Sequence, residues 1–112
     1  MMTFFRGRRT AREQAQQAQA DSGGLKLHVA PDVKASLHAE GVVLIHLGKG
    51  TVFSANLAGA RIWSGAAKRW SIQKLASSLA GEFHISVQAA LQDAAEFLAQ
   101  LEAEGLLLPD RS

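Results

Sequence analysis

The sequence predicts an α+β domain in which a three-stranded antiparallel sheet is followed by three helices. Short apolar runs separated by glycine-containing turns fill residues 33–55, a pattern typical of strands. Apolar residues at helical spacing, each series preceded by an Asn or Ser, fill residues 56–105, a pattern typical of capped amphipathic helices. The chain has 112 residues, of which 47% are hydrophobic and 20% charged, so it has the size and composition of one globular domain.

Three strands are predicted in the first half of the chain. After a first extended piece at LKLHVAP, residues 33–38 form the first strand. Residues 42–47 are an almost continuous apolar run, which predicts a central strand covered on both faces. Gly48, Lys49 and Gly50 form a turn, and residues 51–55 return as a third strand at the edge of the sheet.

The two turns set the registers of these strands. A turn at residues 39–41 places His38 opposite Val42 and separates it from His46, which then faces Lys34. A turn at Gly48 and Lys49 gives the following neighbours in the second hairpin: Ile45 beside Val52, and Leu44 beside Phe53. Both of these pairs are apolar, so the pattern alone leaves open which face of the sheet is the core.

Three helices are predicted in the second half, with Asn56, Ser71 and Ser86 as their N-caps. Gly105 ends the third helix, because glycine adopts the left-handed backbone that closes many helices. Short loops make neighbours in sequence neighbours in space, so the helices must cover the apolar face of the sheet in a winged-helix-like arrangement. The inner stripe of the third helix consists of Val87, Ala90, Leu91, Ala94, Phe97, Leu98 and Leu101.

Charge and composition divide the chain into an arm and a domain. Residues 1–24 contain four arginines and two carboxylates, so they carry the whole net charge of +2, and we expect them to form a mobile, basic, Gln/Ala-rich arm. Residues 25–112 form the predicted domain. The chain has no Cys and no apolar run of the roughly 18 residues that a membrane span requires. These observations favour a cytoplasmic protein without a membrane partner.

The residue patterns of enzymes and of cofactor sites are missing. The four histidines show no metal-binding spacing, the serines have no G-x-S-x-G context, and Gly48-Lys49-Gly50 is too short for a phosphate loop. We therefore expect no catalytic residue, no metal and no cofactor. The third helix has four acidic residues and no Lys or Arg between residues 86 and 104, which disfavours DNA binding through it. A nucleic-acid-binding or regulatory protein that uses the basic arm is the alternative interpretation.

The stretch from Gly41 to Leu108 resembles the PqqD-like family of peptide chaperones, also called RiPP recognition elements. The resemblance rests on the order and spacing of four segments: GVVLIHLGKGTVFSAN, GARIW, SIQKLASSLAGEF and DAAEFLAQLEAEGLL. It implies a noncatalytic protein that captures the leader segment of a ribosomally made precursor peptide in natural product biosynthesis. The implied partners are that leader peptide and a modifying enzyme, which is a radical enzyme, a cyclase or a leader peptidase.

The geometry of an edge strand suggests independently how such a peptide would bind. An extended peptide can satisfy the unpaired N–H and C=O groups of the third strand by joining the sheet. If the third helix lies alongside, the gap between them is a groove, and we expect Phe53 to face the core and Val52 to face the ligand. Because the edge is open, we expect a monomer or a weak dimer. The predicted peptide-binding residues are Thr51, Val52, Phe53, Ser54, Val87, Leu91, Ala94 and Ala95.

Overall fold

A computed structural model of the chain describes residues 24–110 and confirms the predicted order of three strands followed by three helices. The arm predicted for residues 1–24 lies almost wholly outside the described residues, as do residues 111 and 112. Two further short strands flank the predicted elements. The elements in chain order are β1 (Leu27–Val29), β2 (Val33–His38), β3 (Gly41–His46), β4 (Thr51–Asn56), α1 (Leu57–Ala67), α2 (Ile72–Phe83), α3 (Val87–Ala103) and β5 (Leu107–Pro109).

The main sheet has the antiparallel order β2-β3-β4, with β3 in the centre as predicted. In the β3–β4 hairpin, Leu44 pairs with Phe53 and Ile45 with Val52, which confirms the predicted register. The register of the β2–β3 hairpin differs from the prediction by one residue, because Gly41 belongs to β3 and pairs with His38. His46 consequently lies opposite Val33, and not opposite Lys34.

The sheet is covered by helices on one face, so the prediction that β3 is buried on both faces is wrong. On the helix side, Val42 is 1% and Leu44 0% exposed, whereas Ile45 on the opposite face is 37% exposed. An apolar strand is buried on both faces only where other elements cover both faces of its sheet. Here α1 packs against β3 on the face of Val42 and Leu44, and residues of α2 and α3 belong to the same core cluster.

Each predicted N-cap is confirmed by a hydrogen bond that its side chain accepts. Asn56 Oδ1 accepts from the N–H of Gly59, and Ser71 and Ser86 accept from the N–H groups three residues further on, each at 3.0 Å. These bonds satisfy N–H groups that the first turn of a helix leaves without an intrahelical partner. The helices therefore begin where the sequence places them, and the start of α1 is fixed directly at the end of β4.

The core lies between the sheet and the helices. It includes Trp63, which is 4% exposed, and Leu75 and Leu79 of α2. The acidic residue Asp93 of α3 is also buried, at 6% exposed. Within residues 24–110, no helix is both long and apolar enough to cross a membrane.

A second, two-stranded sheet joins the two ends of the described chain. β1 pairs antiparallel with β5, so that Val29 lies opposite Leu107 and Leu27 opposite Pro109. The extended piece at LKLHVAP is confirmed by β1, whereas β5 was not predicted from the sequence. Because β1 and β5 pair with each other, neither lies along the edge of the main sheet.

Candidate functional site

The candidate binding feature is the free edge of β4. Among the described strands, β4 pairs with β3 alone, so its other side presents N–H and C=O groups that no strand satisfies. Such an edge is a template on which another extended segment can form a ladder of hydrogen bonds. The six residues Thr51–Asn56 set the length of that template.

Side chains of β4 alternate between the core face and the outer face of the sheet. Phe53 pairs with buried Leu44, is half-buried and packs against the core. Val52 points to the other face and is 67% exposed, and Ser54 on the same face is also exposed. The expectation that Phe53 faces the core is therefore confirmed. That a ligand contacts Thr51, Val52, Phe53 and Ser54 stays a prediction.

Phe97 of α3 forms an apolar floor next to this edge, together with Phe53. The two ring centroids are 6.0 Å apart and the rings are tilted by 53°, a favourable geometry for an aromatic pair. Gly59 of α1 leaves room for this pair: a Cβ there would lie 2.9 Å from Phe97 Cζ and 2.6 Å from the Cβ of Ala55. The strand, the first helix and the third helix thus meet at one small apolar surface.

Phe97 was not among the predicted site residues. Its position on the inner stripe of α3 suggested a core residue, whereas the structure leaves it half-buried. The only signal in the sequence was that the stripe of α3 contains an aromatic residue. The sequence does not show which side of the stripe faces β4, so this signal could not identify Phe97 as a site residue.

The four predicted helix residues do not form one surface. Leu91 and Ala94 are 7% and 0% exposed and belong to the core, while Val87 and Ala95 are exposed. Val87 begins α3 and lies about 15 Å along the helix axis from Phe97, at a rise of about 1.5 Å per residue. Contact of any of these four residues with a peptide stays a prediction.

The exposed charges of α3 are acidic. Glu96, Glu102 and Glu104 are exposed, and Val87–Ala103 contains no Lys or Arg. Asp93, which the sequence placed among the charges presented by this helix, is instead buried. Three exposed carboxylates still oppose a phosphate backbone, whose neutralisation supplies most of the affinity of DNA-binding helices.

A cluster of charged side chains lies away from β4, where β1 and β5 meet the end of α1. Asp110 forms an ion pair with Arg69, and its Oδ1 lies 2.9 Å from His28 Nδ1. The hydrogen bond from Arg69, followed by that with His28, lowers the pKa of Asp110 from 3.8 to about 2. Arg69 also donates to the carbonyl oxygen of Leu27, so this cluster holds the small sheet to the helices.

Within residues 24–110, no three acidic or histidine side chains converge as a metal site would require.

Comparison with known proteins agrees with this architecture. One chain, described as "TbiB1 in Complex with the TbiA(beta) Leader Peptide", superposes with a TM-score of 0.69 at 25% identity, covering 76% of this chain and 99% of that one. Another, "Lasso peptide synthetase B1 complexed with the leader peptide", has a TM-score of 0.69 at 22% identity, covering 76% of this chain and 100% of that one. No curated protein sequence matches the chain.

The sequence itself matches a family model over two strands of the main sheet and the helices. The model is that of coenzyme PQQ synthesis protein D (PqqD), and it matches residues 41–107, more than half of the chain. The match includes β3, the free edge of β4 and all three helices. This chain belongs to the PqqD family.

Proposed function

We propose that this chain captures the leader segment of a ribosomally made precursor peptide, which adds as a strand to the free edge of β4 beside α3. The observation that carries the proposal is the unpaired edge of Thr51–Asn56 next to the apolar floor of Phe53 and Phe97. Backbone groups of the edge supply affinity for any extended segment, and the floor supplies selectivity for its side chains.

The alternation of β4 defines what an added strand would meet. Every second side chain of the peptide would lie on the side of Phe53 and Phe97, and the others would lie beside Val52 and Ser54 on the outer face. Apolar side chains fit the first set, because Phe53 and Phe97 offer no polar group. A leader with apolar residues two positions apart is therefore the expected ligand.

Similarity to a chain that is described as a complex with a leader peptide supports this proposal. Family membership and the missing patterns of catalytic residues favour a binding protein that works with a separate modifying enzyme. That enzyme would be a radical enzyme, a cyclase or a leader peptidase acting on the captured precursor. The acidic exposed face of α3 disfavours the alternative of a nucleic-acid-binding protein.

Binding can be tested with a fluorescein-labelled synthetic peptide that covers the amino-terminal half of the precursor encoded in the same gene cluster. We expect saturable binding by fluorescence anisotropy and none with a scrambled peptide of the same composition. Hydrogen exchange should show new protection in Thr51–Asn56 and none in Val33–His38 of the opposite edge. Saturable binding that protects other segments would contradict strand addition, and no binding would contradict the function.

The presentation step has its own test. The modifying enzyme from the same gene cluster should process the precursor faster when the full chain is added. A precursor whose leader is scrambled serves as control, because the chain should not accelerate its processing. Equal acceleration of both precursors would show that leader capture is not the role of the chain.

A further inference from the structure

The turn between β3 and β4 is attached to the carboxyl end of α3. The ammonium group of Lys49, at the tip of this turn, donates a hydrogen bond to the carbonyl oxygen of Glu104 at 3.2 Å. Glu104 is the C-cap of α3, where carbonyl groups without intrahelical partners carry partial negative charge. A lysine ammonium is well suited to this position.

Two neighbouring residues fix the position of Lys49. Its own N–H donates to Nδ1 of His46 at 3.2 Å, which holds the backbone of the turn. Gly105 has a φ of +76°, and a Cβ at that position would lie 2.5 Å from Lys49 Nζ. Glycine suits residue 105 because of its positive φ, and a side chain at that position would displace the ammonium group of Lys49 from its place beside α3.

This attachment lies at one end of the gap between β4 and α3. Lys49 precedes the first residue of β4 by two positions, and Glu104 directly follows the last residue of α3. The Phe53–Phe97 contact lies further inside, about 10 Å back along the helix from Glu104. The β3–β4 hairpin thus contacts α3 through the Phe53–Phe97 pair and, nearer the turn, through the Lys49–Glu104 hydrogen bond.

We propose that Lys49 is a positioning residue that fixes the spacing of β4 and α3 and thereby the residence time of a bound peptide. The inference rests on the proposed function, because it concerns the same groove. An added strand must fit between the edge of β4 and the helix, and it passes the Lys49 bridge at the Thr51 end. With the bridge intact, the groove is closed at that end and holds its width. Without the bridge, the hairpin can separate from the helix and the peptide leaves faster.

The test uses three variants of the full chain. Lys49→Met keeps the aliphatic part of the side chain and removes the ammonium, while Lys49→Arg keeps a cation that can reach the same carbonyl. Lys68→Met is the matched control, because Lys68 is an exposed lysine at the C-cap of α1, where it lies over the ring of Trp70, 5.3 Å from its centroid. All three substitutions are at exposed positions, so folding should be retained.

The first measurement needs no peptide. Since the chain has no Cys, cysteines introduced at Thr51 and Ala103 can be spin-labelled specifically, and the distance between the labels measured by pulsed electron resonance. We expect one narrow distance distribution for the parent and for Lys68→Met, and a broader distribution shifted to longer distances for Lys49→Met. An unchanged distribution in Lys49→Met would overturn the proposal.

The second measurement is the dissociation rate of the labelled leader peptide. We expect Lys49→Met to raise it about fivefold, the factor that corresponds to the loss of one exposed hydrogen bond, and Lys49→Arg to restore it to within about twofold of the parent. A bond that merely caps α3 would lower the thermal midpoint and leave the dissociation rate unchanged, which would also overturn the proposal. If the parent chain binds no leader peptide, the proposed function fails, while the distance measurement still decides whether Lys49 sets the spacing.

Discussion

Replacing Val52 with proline tests whether the backbone of β4, and not only its side chains, supplies affinity for the peptide. Proline has no N–H group, and it is tolerated on edge strands where that group would face solvent. Residues two positions apart on a strand direct their N–H groups to the same side, so Val52 and Ser54 share one direction and Phe53 has the other. If the first set faces outward, Val52→Pro removes one hydrogen bond to the peptide and none within the domain.

The size of the effect follows from the exposure of Val52 and from the lost bond. Val52 is 67% exposed, so loss of its side-chain packing destabilises the fold by less than about 1 kcal/mol. On the peptide side, one backbone hydrogen bond is lost and a peptide carbonyl is left unsatisfied, which together cost roughly 2 kcal/mol. The Kd for the leader peptide should therefore rise about thirtyfold, while the thermal midpoint falls by less than about 8 °C.

The assay is calorimetric titration of each variant with the leader peptide, combined with thermal unfolding. Val52→Thr is the side-chain control, because it keeps the N–H group and the branched shape. Ala35→Pro is the control on the opposite edge and should leave the Kd unchanged. The two-residue turn between His38 and Gly41 makes these two residues a hydrogen-bonded pair, so that, two positions apart on β2, the N–H of Ser36 is bonded to β3 and that of Ala35 faces outward. A Val52→Pro variant that is folded and binds as tightly as the parent would refute strand addition. A variant that loses its fold would show that the N–H groups of Val52 and Ser54 point to β3, and that Phe53 belongs to the outward set.

Three further predictions concern the floor, the arm and the ion cluster. Gly59→Ala should weaken peptide binding at least tenfold, measured by anisotropy, because the new Cβ would lie 2.9 Å from Phe97 Cζ and displace the floor; an unchanged Kd would exclude the floor from the site. Deletion of residues 1–24 should leave the Kd unchanged within about twofold, and a large loss would place the arm in the site. Asp110→Asn should lower the thermal midpoint above about pH 4, since the depressed pKa of Asp110, about 2 against 3.8, makes its carboxylate stabilising above the unfolded value. The difference from the parent should shrink as the pH falls from 4 to 2, and a constant difference would contradict the linkage.

Local chemistry in the sequence predicted the elements and their ends. Asn56, Ser71 and Ser86 begin the helices because capping depends on one side chain and an N–H group three residues away. The β3–β4 register was predicted for a similar reason, since a short glycine-rich turn restricts the pairing of the two strands that it connects. The β2–β3 register was missed by one residue because Gly41 could belong either to the turn or to the strand.

Features that depend on distant partners could not be predicted in the same way. β5 is a strand because β1, about 80 residues earlier in the chain, supplies its hydrogen-bonding partner, and a run of three residues carries no periodicity of its own. The half-buried position of Phe97 depends on Phe53 and Gly59, which lie on other elements. The sequence correctly predicted which residues of α3 form its apolar stripe. Which of them lie beside the open edge of β4 depends on how the helix packs, and this could not be predicted.

The main sheet has two edges, and their surroundings explain why β4 should be the one that binds a peptide. Most of β2 is exposed and its second residue is Lys34, a charged side chain of the kind that protects edge strands from pairing. A strand added to β2 would gain backbone hydrogen bonds and would meet the exposed Leu37, but no aromatic pair lies beside this edge in the described residues. A strand added to β4 would gain the same bonds and also cover Phe53 and Phe97. Backbone hydrogen bonds contribute little net free energy when they replace bonds to water, so this additional apolar contact decides between the edges. Replacing Phe53 and Phe97 should therefore abolish the preference for β4 even though its edge remains open.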